Sequence, residues 1–325
     1  MPLISVFMKS YNHDRFISEA IESVIGQSFE DLELIIVDDG STDSSRQIID
    51  SYEQQDSRIR SILHERNLGI TKVVNDGINA SQGKYIAQID SDDVWVEDKL
   101  QKQLAVFDGN ENLIVWSEGE LIDHNGKLLG ETFSESVRSV AKKKSGNIFQ
   151  QLLARNYIFG STLLYKKANL SGLRYDEGLL YNNDYKFLLE LARKCSFCYC
   201  AEPLARYRIH SENTLAGSRL YRRLWDKEYR GFLSAEVTKR RRRAYQEEVM
   251  IRQEALHGYY DKIPDMLMAD ICASSGFCYR KLGEHNKAIR FYWHAIRYNP
   301  RSWSNLAYSA SIFALALRNL LSART

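Results

Sequence analysis

The sequence predicts an α/β domain, a doubly wound and mostly parallel sheet, followed by an all-α C-terminal region. Three observations predict it. Short apolar runs alternate with segments of helical spacing up to residue 95, the βαβ pattern of a parallel sheet. The apolar runs end in polar and acidic clusters, and such sheets bind ligands beyond the carboxyl ends of their strands. From about Gly217 onward the apolar spacing is helical.

The elements follow in order. Residues 3–8, Leu-Ile-Ser-Val-Phe-Met, read as a buried strand that Ser10-Tyr11-Asn12 breaks. Residues 15–27 carry Phe16, Ile17, Ala20, Ile21, Val24 and Ile25 on one helical side. Residues 32–37 form a second strand that ends in Asp38-Asp39-Gly40-Ser41-Thr42-Asp43. Gly40 permits a tight turn there, and Thr42 or Asp43 caps a helix over 44–55. A third strand over 58–63 and a helix over 69–80 lead to the strand 84–89. Beyond it, strands are expected at 113–116, 159–165 and 197–202, with helices at 147–156 and 183–194. Residues 133–145 are polar, end in Lys142-Lys143-Lys144, and read as a mobile loop.

The strand 84–89 runs straight into Asp90-Ser91-Asp92-Asp93. Three carboxylates this close repel one another unless a cation sits among them. A divalent ion takes oxygen ligands and also bridges phosphates. An acidic turn capping the next helix is the plainer reading. Tyr11, Asp39 and the 90–93 cluster all follow strand ends, however, which favours a metal–phosphate site on one sheet edge. No GxGxxG follows the first strand and no GxxxxGK[ST] occurs. Dinucleotide and P-loop chemistry are thereby excluded.

The 325 residues suffice for two domains, expected at 1–215 and 216–325. The net charge of +2 conceals a basic stretch: residues 216–243 hold ten Lys or Arg against three Asp or Glu. Five cysteines, Cys195, Cys198, Cys200, Cys272 and Cys278, with no signal peptide, point to reduced thiols and a cytoplasmic protein. The Cys195–Cys200 run alternates with Phe197 and Tyr199 and reads as a strand, not a zinc site. No apolar run reaches the 18 residues of a spanning helix. No nucleic-acid partner is expected, since no reader motif accompanies the basic run.

Several motifs together resemble the family 2 glycosyltransferases, which have the GT-A nucleotide-diphospho-sugar transferase fold. They are Val6-Phe7-Met8-Lys9-Ser10-Tyr11-Asn12, Ile36-Val37-Asp38-Asp39-Gly40-Ser41-Thr42-Asp43, Asn67-Leu68-Gly69 and Gly83-Lys84-Tyr85-Ile86-Ala87-Gln88-Ile89-Asp90-Ser91-Asp92-Asp93. The resemblance spans residues 3 to about 213. It implies a nucleotide-sugar donor, a UDP-sugar in the commonest case, with Mn²⁺ or Mg²⁺ as cofactor and inversion at the anomeric carbon. Ser10, Tyr11 and Asn12 would contact the donor, with Tyr11 against the base and Asp39 on the base's N–H edge. Asp90 would face the ribose and Asp92 would bind the metal, with Asp93 and His210 as further ligands. Many relatives carry Arg where Val74 stands, so Lys72 or His13 would supply positive charge to the diphosphate instead. Asp184 occupies the place of the catalytic base, usually the second residue of a Glu-Asp pair; Asn183 replaces the Glu, and Glu177 is the fallback. Phe159–Tyr165 resembles the acceptor-side strand, and Tyr207-Arg208-Ile209-His210 the closing segment.

In the C-terminal region Gly276, Tyr279, Ala288, Tyr292, Ala295 and Pro300 have the spacing of one tetratricopeptide-like repeat over about 269–302, turning at Leu282-Gly283-Glu284. Leu306, Ala310 and Phe313 would begin a capping helix. These helices are expected to pack in a homodimer. The second reading of this region is peripheral contact of Trp303–Leu321 and the basic stretch with the inner face of a membrane. The expected acceptor is a glycan or a lipid-linked sugar, in polysaccharide or lipopolysaccharide synthesis. A sugar nucleotidyltransferase and a non-catalytic scaffold are the alternatives from other classes. The first lacks its Gly-rich, Arg-containing loop after strand one, and the second is opposed by the intact carboxylates.

Overall fold

The computed structural model describes residues 1–107, 110, 112–136, 145–210, 235–257 and 263–299, with the side chains of 235–241 and 266 excepted. Lys142-Lys143-Lys144, most of the basic stretch, Pro300 and the segment from Trp303 to Leu321 with Leu306, Ala310 and Phe313 lie outside the described residues. The chain divides into two compact units: Met1–Ile148 with Tyr157–Glu228, and Phe149–Asn156 with Tyr229–Thr325.

The first unit begins as the apolar pattern predicts. Strand β1 (Ile4–Ser10) leads to helix α1 (Ile17–Ile25), β2 (Leu32–Asp38), α2 (Ser45–Gln55), β3 (Ile59–Leu63), α3 (Ile70–Ala80) and β4 (Tyr85–Asp90). Then come β5 (Val94–Trp95), α4 (Lys99–Ala105), β6 (Leu113–Ile122), β7 (Leu128–Thr132) and the short α5 (Phe133–Ser136). The strand order is β3-β2-β1-β4-β8-β6-β9-β5, with β8 at Leu164–Lys166, β9 at Ser196–Arg208 and β7 alongside β6. Helix α7 (Asn183–Lys194) precedes β9. Neighbours β3, β2, β1 and β4 are all parallel, as are β6 and β9; β8 is antiparallel to both of its neighbours.

Register aligns the strand ends. Ser10 lies opposite Asp38, and Lys9 opposite Asp90. The side chains that follow β1, β2 and β4 therefore emerge on one edge. Beneath them Val6, Met8, Leu34, Ile36, Ala87 and Ile89 form a core against Ile17, Ile21 and Val24 of α1. Gly77 lets α3 close on the sheet: a Cβ there would stand 2.8 Å from the Phe7 ring.

Two expectations change in the second half. The strand expected at 159–165 is broken into a 3₁₀ turn, Gly160–Thr162, and the three-residue β8. Gly160 abuts Gln88, where a Cβ would lie 2.8 Å from Nε2, and the Ser161 hydroxyl turns inward to Asp93 at 2.6 Å. Strand β9 runs to Arg208, well past the expected 202. Glu202 and Pro203 interrupt the strand signal there, but backbone pairing to β6 carries it through with register shifts near Glu118. Cys198 and Cys200 lie on this strand as free thiols.

In the second unit, α8 (Ala235–Leu256) precedes a helical hairpin, α9 (Asp265–Leu282) and α10 (His285–Tyr298). Gly283 makes the turn in the left-handed region at φ 80°, where glycine carries no Cβ penalty. Ala288 and Ala295 are fully buried, and Gly276 lies against Tyr292, where a Cβ would meet the ring at 2.8 Å. Helix α6 (Phe149–Ala154) belongs to this unit although it falls mid-chain. Arg252 of α8, 1% exposed, donates to the Leu153 and Ala154 carbonyls at 3.0 and 3.1 Å and pairs with Glu248. It thus satisfies carbonyls that the helix end leaves open. Among the described residues no helix is long and apolar enough to cross a membrane.

Phe149, Leu152 and Leu153 are buried in this arrangement. Exposing such side chains costs roughly 1.5–3 kcal/mol each, a sum comparable to the whole stability of a domain, about 5–15 kcal/mol. A chain truncated after Glu228 is therefore expected to be largely insoluble. Additionally replacing Phe149, Leu152 and Leu153 by polar residues should restore soluble protein. Soluble yield after centrifugation checks both; full solubility of the simple truncation contradicts the assignment of α6.

Candidate active site

The β1–α1 loop is laced to the β2–α2 loop. Asn12 adopts φ 52° and accepts the Thr42 N–H on Oδ1 at 2.8 Å, while its own N–H donates to Ser41 Oγ at 2.8 Å. Asp38, with no exposure, accepts from Ser10 Oγ at 3.0 Å, from Ser41 N–H at 2.9 Å and from Arg46 Nε at 3.0 Å. Ser10 and Asn12, expected as donor contacts, therefore commit their side chains to holding the two loops together. Tyr11 between them is 43% exposed, a ring available on the edge.

Asp39 is buried and accepts the Leu68 and Gly69 N–H groups, each at 2.8 Å, which fixes the start of α3. His64 Nδ1 lies 2.9 Å from Asp39 Oδ1, and His64 Nε2 lies 3.0 Å from Asp76. A carboxylate has about four lone-pair positions, so three contacts leave one for a base N–H. Lys72, expected near the diphosphate, instead pairs with Asp76 one helical turn along at 2.5 Å. That pair is an intrahelical i,i+4 contact on a side chain 42% exposed, worth about 0.2–0.5 kcal/mol.

The three carboxylates of the 90–93 turn part company. Asp90 pairs with Lys9 Nζ at 2.7 Å. Burial alone would lower the Lys9 ammonium, but Asp90, with Asp93 and Asp184 beyond it, overrides this and raises it. Asp93, expected as a metal ligand, turns inward with no exposure and accepts from Ser161 Oγ at 2.6 Å and the Arg208 N–H at 3.2 Å. Burial, then the nearby Asp92 and Asp90 charges, push its carboxyl well above the usual range. Asp93 thus braces the turn and is shut away from the edge.

Asp92 faces the other way. Its Oδ2 lies 2.9 Å from His210 Nε2. Burial would raise its carboxyl, but the His210 contact and the His13 and His210 charges lower it. One ligand atom each of His13, Asp92 and His210 lie within 4.8 Å of one another, the one such group among the described residues. Two imidazoles and a carboxylate are a chemically reasonable donor set for a divalent ion. Arg208, 1% exposed, braces this turn: its Nε donates to the Asp92 carbonyl at 2.9 Å and its Nη2 pairs with Glu19 at 2.5 Å.

Asp184 sits in the first turn of α7. Asn183 donates to Thr71 Oγ1 at 3.1 Å, and Asn75 holds the Tyr175 backbone with bonds of 3.1 and 2.9 Å, so α3 positions the approach to α7. Burial raises the Asp184 carboxyl; the Tyr185 N–H and Lys9 partly offset this, and Asp90 adds to it. Asp184 is thus within electrostatic reach of Lys9 and Asp90. Glu177, the fallback, is exposed and accepts from Asn75 at 3.3 Å. Sequence reasoning assigned no role to Lys9, His64, Ser161 or Arg208. Of these only Lys9 carried a signal, a charge inside an apolar strand.

An α/β sheet with acidic strand ends gathered on one edge has the architecture of the GT-A fold class. Residues 5–170 match the model of "Glycosyl transferase family 2", and the chain belongs to that family. An uncharacterized glycosyltransferase of Methanocaldococcus jannaschii is 34% identical over 212 residues, 64% of this chain and 71% of that protein. The fold is similar to the crystal structure of S. aureus TarS 1-349 in complex with UDP-GlcNAc, with TM-score 0.55 and 16% identity, covering 92% of this chain and 89% of that one. It is also similar to the mannosyltransferase PcManGT from Pyrobaculum calidifontis in complex with GDP-Man and Mn²⁺, with TM-score 0.59 and 14% identity, covering 97% and 81%.

Proposed function

We propose that the protein is an inverting, metal-dependent glycosyltransferase that moves a sugar from a UDP-sugar to a hydroxyl of a glycan or lipid-linked acceptor. The observation that carries this reading is the division of labour on the edge. Asp92 with His13 and His210 forms a cation-holding group, while Asp184 stands apart from it, linked through Lys9 and Asp90. An inverting displacement needs both functions, on opposite sides of the anomeric carbon. A bound Mn²⁺ or Mg²⁺ would act as a Lewis acid on the departing diphosphate. Tyr11 would lie against the base, and Asp39 would accept its N–H. Asp184 would take the acceptor proton as the hydroxyl attacks. One displacement without a covalent intermediate inverts the centre.

We place the catalytic residues in a domain over 1–215 and give the helical region, including the repeat-like hairpin, to acceptor, partner or membrane contact at the cytoplasmic face. The test is calorimetry of the full chain with UDP, GDP, dTDP and CMP, each with and without Mn²⁺. Binding of UDP that requires Mn²⁺ is expected. If no nucleotide binds in either condition, the transferase reading of this site fails.

A further inference from the structure

We infer that His13 is a third protein ligand to the metal, and that the resulting two-imidazole set favours Mn²⁺ over Mg²⁺. The inference rests on the donor-site reading above. Asp92 and His210 are already in contact at 2.9 Å, so those two alone make a minimal site. His13 completes it from the β1–α1 loop, with all three ligand atoms inside 4.8 Å. Donors sharing one ion at about 2.1 Å stand at most about 4.2 Å apart. Closing the remaining gap takes a few tenths of an ångström, well within side-chain adjustment.

The His13 ring is prepared for this role. Ser91 Oγ lies 2.8 Å from Nδ1. A metal-bound histidine typically donates its other ring N–H to an oxygen, which sets the tautomer and the ring's aim. With Nδ1–H on Ser91, Nε2 keeps its lone pair for the ion. The His13 backbone N–H is itself tied to Ser45 Oγ at 3.0 Å, so the residue cannot swing freely. The two imidazoles meet edge to face with centroids 5.5 Å apart, and Phe16 packs against His210 at 4.7 Å. Ser91 also lies between Asp90 and Asp92, so the turn that supplies the carboxylate also orients the first imidazole. Mg²⁺ prefers an all-oxygen octahedron and retains its waters; Mn²⁺ also favours oxygen donors, but as the first member of the transition-ion affinity series it accepts imidazole more readily than Mg²⁺ does.

The test uses the full chain with Mn²⁺ alone, Mg²⁺ alone and Mn²⁺ with UDP. Electron paramagnetic resonance follows free Mn²⁺ during titration, and electron spin-echo modulation counts coupled imidazole nitrogens. Wild-type protein is expected to show two, and His13→Gln and His210→Gln one each. The His13→Gln change should weaken Mn²⁺ at least about tenfold and leave Mg²⁺ within about twofold, so the Mn²⁺/Mg²⁺ preference falls. Ser91→Ala, which keeps both imidazoles, should retain two nitrogens and lose affinity by about 10- to 100-fold. Circular dichroism of each variant identifies any that fail to fold, and the nitrogen count in wild-type protein decides the matter without them. A single coupled nitrogen in wild type, or two in His13→Gln with an unchanged ion preference, overturns the inference. Nucleotide binding with one nitrogen removes His13 and spares the transferase reading. Two nitrogens without any nucleotide binding do the reverse.

Discussion

Asp184→Asn is expected to abolish sugar transfer and leave metal-dependent nucleotide binding nearly intact. The substitution removes the proton acceptor without changing the shape of the first turn of α7. A positioned base contributes about 10²–10⁴-fold, and the loss should fall on kcat, since the acceptor hydroxyl can still dock. Stability should move the other way. Burial raises the Asp184 carboxyl above its ordinary value, with Lys9 offsetting part of it. A carboxyl whose folded-state pKa is raised favours the folded state at low pH, and that advantage is lost as pH rises through the folded pKa. The ionised side chain therefore costs stability at neutral pH, and Asn removes the cost. A thermal midpoint at or above that of the wild type, combined with lost turnover, is the expected pair of results. For the wild-type enzyme the acid limb of kcat/KM should lie above the usual carboxylate range. Normal turnover in Asp184→Asn removes the residue from the base role, and Glu177 becomes the residue to substitute next.

The second large effect is expected at Asp92. Asp92→Asn should keep the contact with His210, since an amide oxygen also accepts a hydrogen bond, but it removes the negative charge from the cation-holding group. Removing one partner of a desolvated charge pair costs about 2–5 kcal/mol, or roughly 30-fold to several thousand-fold. The loss should appear in nucleotide affinity measured with Mn²⁺ and largely vanish when metal is omitted. Unchanged metal affinity would move the assignment to Asp90, because Asp93 is fully buried and committed to Ser161 and Arg208.

The order of elements through β4 was legible because burial in a parallel sheet leaves a strong local signal. Strand β1 is buried at almost every position, and its sequence is an apolar run broken only by Ser5, Lys9 and the terminal Ser10. Strand β9 was only half legible, because pairing with β6 holds polar residues that have no strand signal of their own. Helix α6 was legible as a helix, but nothing local marked it as part of the C-terminal unit.

The site divides in the same way. Strand ends singled out Asp39 and the 90–93 turn, since they are set by local pattern, whereas Asp184 and His210 were singled out by the resemblance to the glycosyltransferase family. Neither separated the three carboxylates of the turn. Three aspartates within four residues look alike in a string. In the fold one pairs with Lys9, one meets His210 and one is shut inside with Ser161. Ser10 and Lys72 likewise matched their expected positions, yet each side chain found a nearer partner in Asp38 or Asp76. The sequence alone therefore determined where the strands of the first half end and which residue types stand there. Only the tertiary structure decided which way the aspartates and Ser10 turn, because that depends on partners distant in sequence, 28 residues away in Asp38 for Ser10 and 118 in His210 for Asp92; the Lys72–Asp76 pair alone is local.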